Sequence, residues 1–256
     1  MKKRILFIAV LFLLAVIAQA QSDNMYFMKN GFIINKQSIK PTDVDSIVFS
    51  RPTVVPETVF MDSRDSNVYE FVTIGDQVCM AENLKYLPSL NIDGTNSSTE
   101  PYYYVMGHYE STVVSEAKAT ANYNTYGVLY NGIAAATACP TGWHLPSNVE
   151  WQTLIDHVGG ADVAGGKLKE IGFDHWNNPN TGATNEFGFN ALPGGTLGTS
   201  MLFGGVKKQA YFWTSTKESL TENFGLHLDY NSEKITNTSD YIQAANSIRC
   251  IQSERE

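Results

Sequence analysis

One stretch of the chain, SNVEWQTLIDHVGG at residues 147–160, carries the strongest signal for a single kind of structure. Ser147 and Glu150 have the spacing of a capping box, in which each side chain accepts a hydrogen bond from a free backbone N–H of the first helical turn. Four apolar residues then recur at the spacing of one helical face: Trp151, Leu154, Ile155 and Val158. Two glycines end the pattern. The stretch predicts an amphipathic helix of about three turns, with Trp151 in a core.

The rest of the chain is typical of short strands separated by polar turns. Residues 68–74 and 77–80 alternate in polarity on either side of a Gly-Asp turn, which predicts a hairpin. Later segments have the same character: YFWTST, FGLHLDY and SIRCIQ. Residues 167–171 are predicted to add a short helical turn. One principal helix among many short strands and long loops predicts an α+β fold rather than a parallel α/β sheet.

The first 20 residues have the pattern of a secretory signal peptide. A basic start, MKKR, precedes an unbroken apolar run at residues 5–18, and Ala18-Gln19-Ala20 has the small residues of a cleavage site. We therefore expect cleavage after Ala20 and a secreted, periplasmic or cell-surface location. No later stretch approaches the roughly 18 apolar residues of a transmembrane helix, so membrane insertion is not expected.

Three further segments follow the leader. Residues 21–50 are predicted to form a small β appendage, because apolar runs flank Asn30-Gly31, a pair that tolerates the positive φ of a hairpin turn. Two prolines interrupt residues 51–59, which are predicted to be a linker. Residues 60–256 form the main domain. A few strands bury little by themselves, so a structural role in which the appendage pairs with a partner's sheet is one alternative.

The charge of the chain excludes two classes of partner. The formal net charge is −8, and removal of Lys2, Lys3 and Arg4 with the leader takes it to −11. Nucleic-acid binding depends on neutralising phosphates with Lys and Arg, and anionic membranes attract basic segments. Neither partner is expected, whereas an extracellular glycan, a cation or a surface protein remains open.

Cysteine usage fits an exported protein. The chain has three cysteines, Cys79, Cys139 and Cys250, and a disulfide persists in an oxidising compartment. Three cysteines allow three pairings, each with one thiol left over. The alternative is that all three are small buried residues. The residues alone do not choose between these arrangements.

The segment CPTGWHLP, at residues 139–146, raises the question of a Cys139–His144 nucleophile and base. Such a pair needs hydrogen-bond contact and a third group that orients the base, and the short spacing establishes neither. The chain also lacks H-E-x-x-H, C-x-x-C, G-x-S-x-G and a phosphate-binding glycine loop. No enzyme is predicted. The catalytic alternative is an extracellular enzyme that uses a cysteine or a spatial pair of carboxylates.

A loop rich in oxygen ligands is the best candidate binding site. Its candidate ligand-binding residues are Asp174, His175, Trp176, Asn177, Asn178, Asn180, Asn185 and Glu186. Carboxylate and amide oxygens suit calcium, and an exposed Trp176 beside amides would suit the apolar face and the hydroxyls of a sugar. The alternative is that the amides hydrogen-bond their own loop backbone as turn formers. No resident cofactor is expected, and calcium binding by the loop is left open.

Several blocks of the sequence match one known family in order along the chain. They are IGDQVCMAENLKY, CPTGWHLPSNVEW, GGKLKE, HWNNPNTGATNEFGFNALPGG, YFWTST and the terminal IRC. Over residues 62–251 the chain resembles the Fibrobacter succinogenes major paralogous domain family, whose members are exported bacterial modules. HLPSNVEW and SIRC are also similar, more faintly, to formylglycine-generating-enzyme-like domains, which share the C-type-lectin-like fold.

The resemblance implies a loop-rich C-type-lectin-like domain whose chain ends lie close together. It therefore implies a disulfide between Cys139 and Cys250. The family usually has Trp at the position of Cys79, which implies that Cys79 is unpaired. The reactive cysteine pair of the related oxidases is not matched, because only Cys250 lies in the C-terminal part. The E-P-N and Q-P-D triplets of sugar-binding C-type lectins are also missing.

These observations together predict a class of function. We expect a secreted, non-catalytic surface module that binds an extracellular glycan or a surface protein. An extracellular enzyme and a structural or adhesion component are the alternatives.

Overall fold

The computed structural model describes residues 24–29, 32–38, 58–92 and 94–253. The chain divides into two compact units, Met1–Met61 and Asp62–Glu256. The predicted signal peptide and most of the predicted linker, residues 51–57, lie outside the described residues. The first unit contains three described strands: β1 (Asn24–Lys29), which pairs antiparallel with β2 (Phe32–Ser38), and the short β3 (Val59–Met61).

The second unit is rich in short strands. In chain order they are β4 (Val68–Ile74), β5 (Gln77–Met80), β6 (Tyr103–Tyr104), β7 (Leu129–Asn131), β8 (Trp143–His144), β9 (Thr196–Leu197), β10 (Phe203–Gly204), β11 (Gln209–Lys217), β12 (Glu222–Asp229), β13 (Ile235–Tyr241), β14 (Ala245–Asn246) and β15 (Ile251–Gln252). The helices are α1 (Val114–Lys118), α2 (Ala121–Tyr126), α3 (Gly132–Ala135), α4 (Asn148–His157) and α5 (Ala161–Leu168). The predicted mixed α+β class is confirmed. Within the described part of the chain, no helix has the length and apolar character to cross a membrane.

Antiparallel sheets organise this unit. One has the strand order β4-β5-β15-β8, the second β11-β12-β13, and the third β10-β9-β14-β7-β6. The hairpin predicted at residues 68–80 is confirmed, with Val72 opposite Cys79 and Ile74 opposite Gln77. The last strand, β15, lies between β5 and β8. Strands from the two ends of the unit are therefore direct neighbours.

The predicted amphipathic helix is α4, and its capping box is confirmed. The Glu150 backbone N–H donates to Ser147 Oγ at 3.2 Å, and the Ser147 N–H donates to Glu150 Oε2 at 2.7 Å. Trp151, only 2 % exposed, lies in the main core with Phe189 and the inward side chains of β11 and β12. Its ring meets Phe189 edge-on, with 5.8 Å between the centroids. The helix therefore packs on the core side of the β11-β12-β13 sheet.

The second helix of this region differs from its prediction. The turn predicted at residues 167–171 is wrong, because α5 occupies Ala161–Leu168 and Lys169 already has extended backbone. Gly165 and Gly166 remove the helical signal from the sequence, because glycine is unfavourable in the interior of a helix. Close packing explains both: a Cβ on Gly165 would clash with the carbonyl of Lys234, and one on Gly166 with the carbonyl of Gly182. The two glycines therefore allow the backbones of two loops to pack directly against the backbone of α5.

A buried arginine ties β5 to the loop before β9. Arg249 is 1 % exposed, and its guanidinium donates to Asn83 Oδ1 at 2.8 Å and to the carbonyls of Met80, Phe189 and Asn190. Burial lowers the pKa of Arg249 to about 9, so the group is still charged at neutral pH. Its charge is therefore met by four oxygen dipoles drawn from distant parts of the chain.

The Cys139–Cys250 disulfide that the family resemblance implies is present. It joins two residues 111 positions apart, one before the turn into α4 and the other directly before β15. Cys79 is a free cysteine and is buried. A thiol count on the denatured, unreduced chain is therefore expected to give one.

The outward side of the β11-β12 pair carries two stacked aromatic rings. The Tyr211 and His227 ring centroids are 4.6 Å apart, with an angle of 25° between the planes. Burial lowers the pKa of His227, and Asp229 and Asp240 oppose only part of that shift. His227 Nε2 is buried and has no hydrogen-bond partner among the described residues. The folded protein therefore favours the neutral ring.

Because of His227, we expect the free energy of unfolding to decrease as the pH is lowered. In the unfolded chain a histidine has a pKa of about 6.5, so below that pH the unfolded chain takes up the proton more readily than the folded one. The stabilisation is complete above the unfolded pKa and is lost as the pH falls through the lower, folded-state pKa. Urea unfolding at about pH 7.5 and about pH 5 measures this decrease in the free energy of unfolding. The decrease should be smaller in His227→Phe, which keeps a ring against Tyr211, than in the wild type. Equal losses in both proteins would contradict this.

Candidate functional site

The predicted binding residues all lie on the segment between α5 and β9. The structure divides them into a buried group beneath the segment and a more accessible group at its surface. The buried residues are Trp176 and Asn180, the half-buried ones are His175, Asn177 and Asn185, and the exposed ones are Asp174, Asn178 and Glu186. The eight residues therefore do not share one surface.

Trp176 points into the protein. Its side chain is 1 % exposed, and its indole N–H donates to the carbonyl of Ala191 at 2.9 Å. The ring belongs to the main core, together with Leu168 and Phe189. The expectation of an exposed Trp176 for sugar stacking is therefore wrong, because the ring fills the space beneath the loop.

Two of the predicted asparagines act as turn formers. Asn180 is 5 % exposed, and its amide donates to the carbonyls of Glu170 and Gly172, both at 2.8 Å. Asn185 Oδ1 accepts the Asn190 backbone N–H at 2.8 Å. Both residues have positive φ, 44° and 45°, a conformation that asparagine tolerates better than most residues. Asn180 in particular fixes the backbone on both sides of Ile171.

Two apolar residues that the sequence did not single out lie at the surface of this loop. Ile171 and Phe173 are each 61 % exposed, and Gly172 between them has a φ of 89°. The sequence signal that could have indicated their exposure is the occurrence of two apolar residues in a segment with neither helical nor strand periodicity. We call Ile171, Phe173, Asp174, His175 and Asn178 the rim. The rim combines exposed apolar area with exposed carboxylate and amide groups.

His175 is oriented by a carboxylate within the same loop. Its Nδ1 lies 2.8 Å and 3.0 Å from the two carboxylate oxygens of Glu170, and its ring meets Tyr126 edge-on at 6.0 Å. A neutral ring that donates from Nδ1 keeps Nε2 as an acceptor. Glu170 therefore sets the direction in which His175 offers its second nitrogen.

The remaining predicted residues have local partners. The Asn177 backbone N–H donates to the Lys207 carbonyl at 2.7 Å, which ties the loop to the segment before β11. Glu186 forms a partly exposed ion pair with Lys167 at 3.3 Å, a kind of contact that adds little stability. Within residues 58–92 and 94–253, no three His, Cys, Asp or Glu side chains form a group that could hold a metal ion.

Cys139 and His144 do not form a nucleophile and base in the structure. Cys139 is in the disulfide, and burial raises the pKa of the remaining thiol, Cys79, to about 12. A thiol that is protonated at neutral pH is a poor nucleophile. His144 instead contacts Glu150 Oε1 at 2.8 Å and Ser253 Oγ at 3.0 Å. These contacts connect the end of β15 to the start of α4.

Comparison with known proteins gives one family. A family model described as the Fibrobacter succinogenes major domain matches residues 72–252, which confirms the family that the sequence blocks indicate. No curated protein and no solved structure matches the chain. The match contains the whole loop between α5 and β9, so the rim lies within the family's domain.

Proposed function

This chain belongs to the Fibrobacter succinogenes major domain family, and on that premise we propose that it is an exported, non-catalytic surface module that binds an extracellular glycan through the rim. We also propose that its mixed α+β domain is a C-type-lectin-like fold. The single observation that carries the binding proposal is Phe173, an aromatic side chain 61 % exposed on a loop held from beneath by buried side chains.

The fixed backbone beneath the rim favours binding. Asn180 holds the carbonyls on either side of Ile171, and Trp176 anchors the next stretch to Ala191. A loop that is already ordered loses less conformational entropy when a ligand binds. An exposed aromatic ring on such a loop is the kind of anchor that dominates binding energy at interfaces.

The polar groups of the rim suit a sugar. The Phe173 ring offers a flat apolar surface for the C–H face of a pyranose. Asp174 and Asn178 are exposed and supply acceptors and donors for hydroxyl groups, and His175 adds a nitrogen directed by Glu170. This mixture of one aromatic side chain with a few polar groups is typical of small-molecule sites.

A surface protein is the second candidate ligand. Ile171 and Phe173 are equally exposed and lie two residues apart, and paired apolar anchors are more typical of a protein contact than of a sugar site. Export is proposed from the basic and apolar leader together with the disulfide, which fits an oxidising compartment.

Replacement of Phe173 tests the proposal. On a glycan array the wild-type chain should bind a defined set of neutral glycans, and Phe173→Ala should bind them at least about tenfold more weakly, the loss expected for an anchor worth about 1.4 kcal/mol or more. Leu220→Ala is the matched control, since Leu220 is 93 % exposed. Leu220 follows β11, whereas the loop contacts Lys207, which precedes β11. The control should bind like the wild type.

Three outcomes would count against the glycan proposal. Equal binding by wild type and Phe173→Ala would remove the rim from the site. Binding to a surface protein but to no glycan would favour the second candidate. A catalytic turnover of the bound glycan would replace the non-catalytic module by an enzyme.

A further inference from the structure

One lysine holds the rim-bearing loop from inside. Lys169 directly follows α5, and the whole residue is 0 % exposed. Its ammonium nitrogen donates to the backbone carbonyls of Thr181 at 2.9 Å, Asp229 at 2.9 Å and Ser232 at 2.8 Å. All three acceptors of this buried cation are therefore backbone oxygens.

The three carbonyls match the chemistry of an ammonium group. An ammonium has three donors and no acceptor, so each N–H has one partner. Burial lowers the pKa of Lys169 to about 8, which still leaves the cation as the main form at neutral pH. The nitrogen also lies 5.2 Å from the centre of the Trp176 ring, within the range of a cation–π contact.

Backbone carbonyl oxygens are among the ligands that protein loops offer to calcium, together with carboxylates and water. Here the positively charged nitrogen already lies among the three carbonyls, and a second cation at the same point would be repelled. Thr181 belongs to the rim-bearing segment, Asp229 ends β12, and Ser232 lies in the turn before β13. The ammonium therefore joins three segments in the way that a bound metal ion would.

The connection from Lys169 to the rim is short. Thr181 is fixed by Lys169 and by its own N–H, which donates to the Tyr230 carbonyl at 2.8 Å. Asn180 precedes it and holds the carbonyls of Glu170 and Gly172. Loss of the ammonium would remove one of the two hydrogen bonds that hold Thr181. Through Asn180, it would loosen the backbone that presents Ile171 and Phe173.

We propose that Lys169 is a tethered cation that holds this loop as a structural metal ion would, so that the rim keeps its shape and binds its ligand without calcium. The binding part of this inference rests on the proposed function. The loop-holding part does not, and it has its own measurement. Lys169 is a positioning residue, because it contacts the loop and not the ligand.

Hydrogen exchange of the wild-type chain gives the first test. Backbone amides at residues 174–186 should have the same protection in excess EDTA and in about millimolar calcium, a concentration that fills weak extracellular calcium sites. The Lys169 ammonium signal, observed by ¹⁵N NMR, should also stay unchanged when calcium is added. Calcium-dependent protection, or a displaced ammonium signal, would overturn the inference without any variant having to fold.

A matched pair of variants gives the second test. Lys169→Met keeps an unbranched side chain of four heavy atoms but removes the ammonium nitrogen and its donors, whereas Lys208→Met makes the same change at an exposed lysine. Exchange at residues 174–186 should accelerate by about tenfold or more in Lys169→Met, as expected for a local opening, while β5 and β15 keep their protection. Lys208→Met should leave exchange in the loop unchanged. Unchanged exchange in Lys169→Met would overturn the inference.

Ligand binding separates this inference from the proposed function. A glycan that binds the wild type should bind equally in EDTA and in calcium, and at least about tenfold more weakly to Lys169→Met. Loss of binding in EDTA would overturn the tethered cation but leave a glycan-binding module. If the wild type binds no glycan or protein, the proposed function fails, and the exchange measurements still decide the role of Lys169.

Discussion

Replacing Cys139 and Cys250 together by alanine is expected to lower the free energy of unfolding by about 4–5 kcal/mol. The bridge closes a loop between residues 111 positions apart, and the chain-entropy model gives about 4.7 kcal/mol for a loop of roughly 100 residues. The effect arises mainly in the unfolded state, which loses conformational freedom when the bridge is present. Urea unfolding of the oxidised wild type and of the double variant measures it.

The control for this prediction is Cys79→Ala. Cys79 is buried but unpaired, so this variant loses one sulfur atom from the core and no cross-link. It should cost about 1 kcal/mol, the scale of a small core deletion. A double variant that unfolds at the same urea concentration as Cys79→Ala would show that the bridge contributes nothing beyond packing. Addition of a reducing agent should bring the wild type to the stability of the double variant.

Replacing Trp151 by alanine is expected to cost about 3–5 kcal/mol, the range for removing a large aromatic residue from a core. The side chain is 2 % exposed and packs against Phe189 and Phe212, with ring centroids 5.8 Å and 5.9 Å away. Chemical unfolding monitored by circular dichroism measures the change. The reason for the large effect is the volume of the cavity that the indole would leave.

Trp151→Phe should cost much less, about 1.5 kcal/mol or below, as for a shape change that keeps most of the packing. The indole N–H of Trp151 is buried and has no hydrogen-bond partner among the described residues. Its removal therefore loses no hydrogen bond, and it relieves the cost of an unsatisfied donor. A loss in Trp151→Phe as large as that in Trp151→Ala would indicate that the part of the indole that phenylalanine lacks, and not an aromatic ring as such, stabilises the core.

The elements with local signals were predictable. Ser147 and Glu150 predicted the start of α4, and the apolar spacing predicted that Trp151 faces the core. The Gly-Asp turn predicted the β4-β5 hairpin. The Cys139–Cys250 pairing came from the family resemblance, since the spacing of three cysteines does not select a pair.

The missed features depend on distant contacts. Helix α5 was hidden because Gly165 and Gly166 serve close packing against Lys234 and Gly182 and not helix propensity. The loop residues 171–176 have no periodicity, so their sequence does not show that Phe173 faces outward while Trp176 faces the core. Lysine is usually a surface residue, so the sequence does not predict that Lys169 is buried. Only the folded chain brings three carbonyls to its ammonium group.

The most direct test of the central claim is an NMR titration of the ¹⁵N-labelled chain with a glycan selected on the array. The account predicts that the largest amide shifts fall at residues 170–179, and that the shifts are the same in EDTA and in calcium. Shifts confined to another surface, such as the outward side of β11 and β12 around Tyr211 and His227, would contradict it.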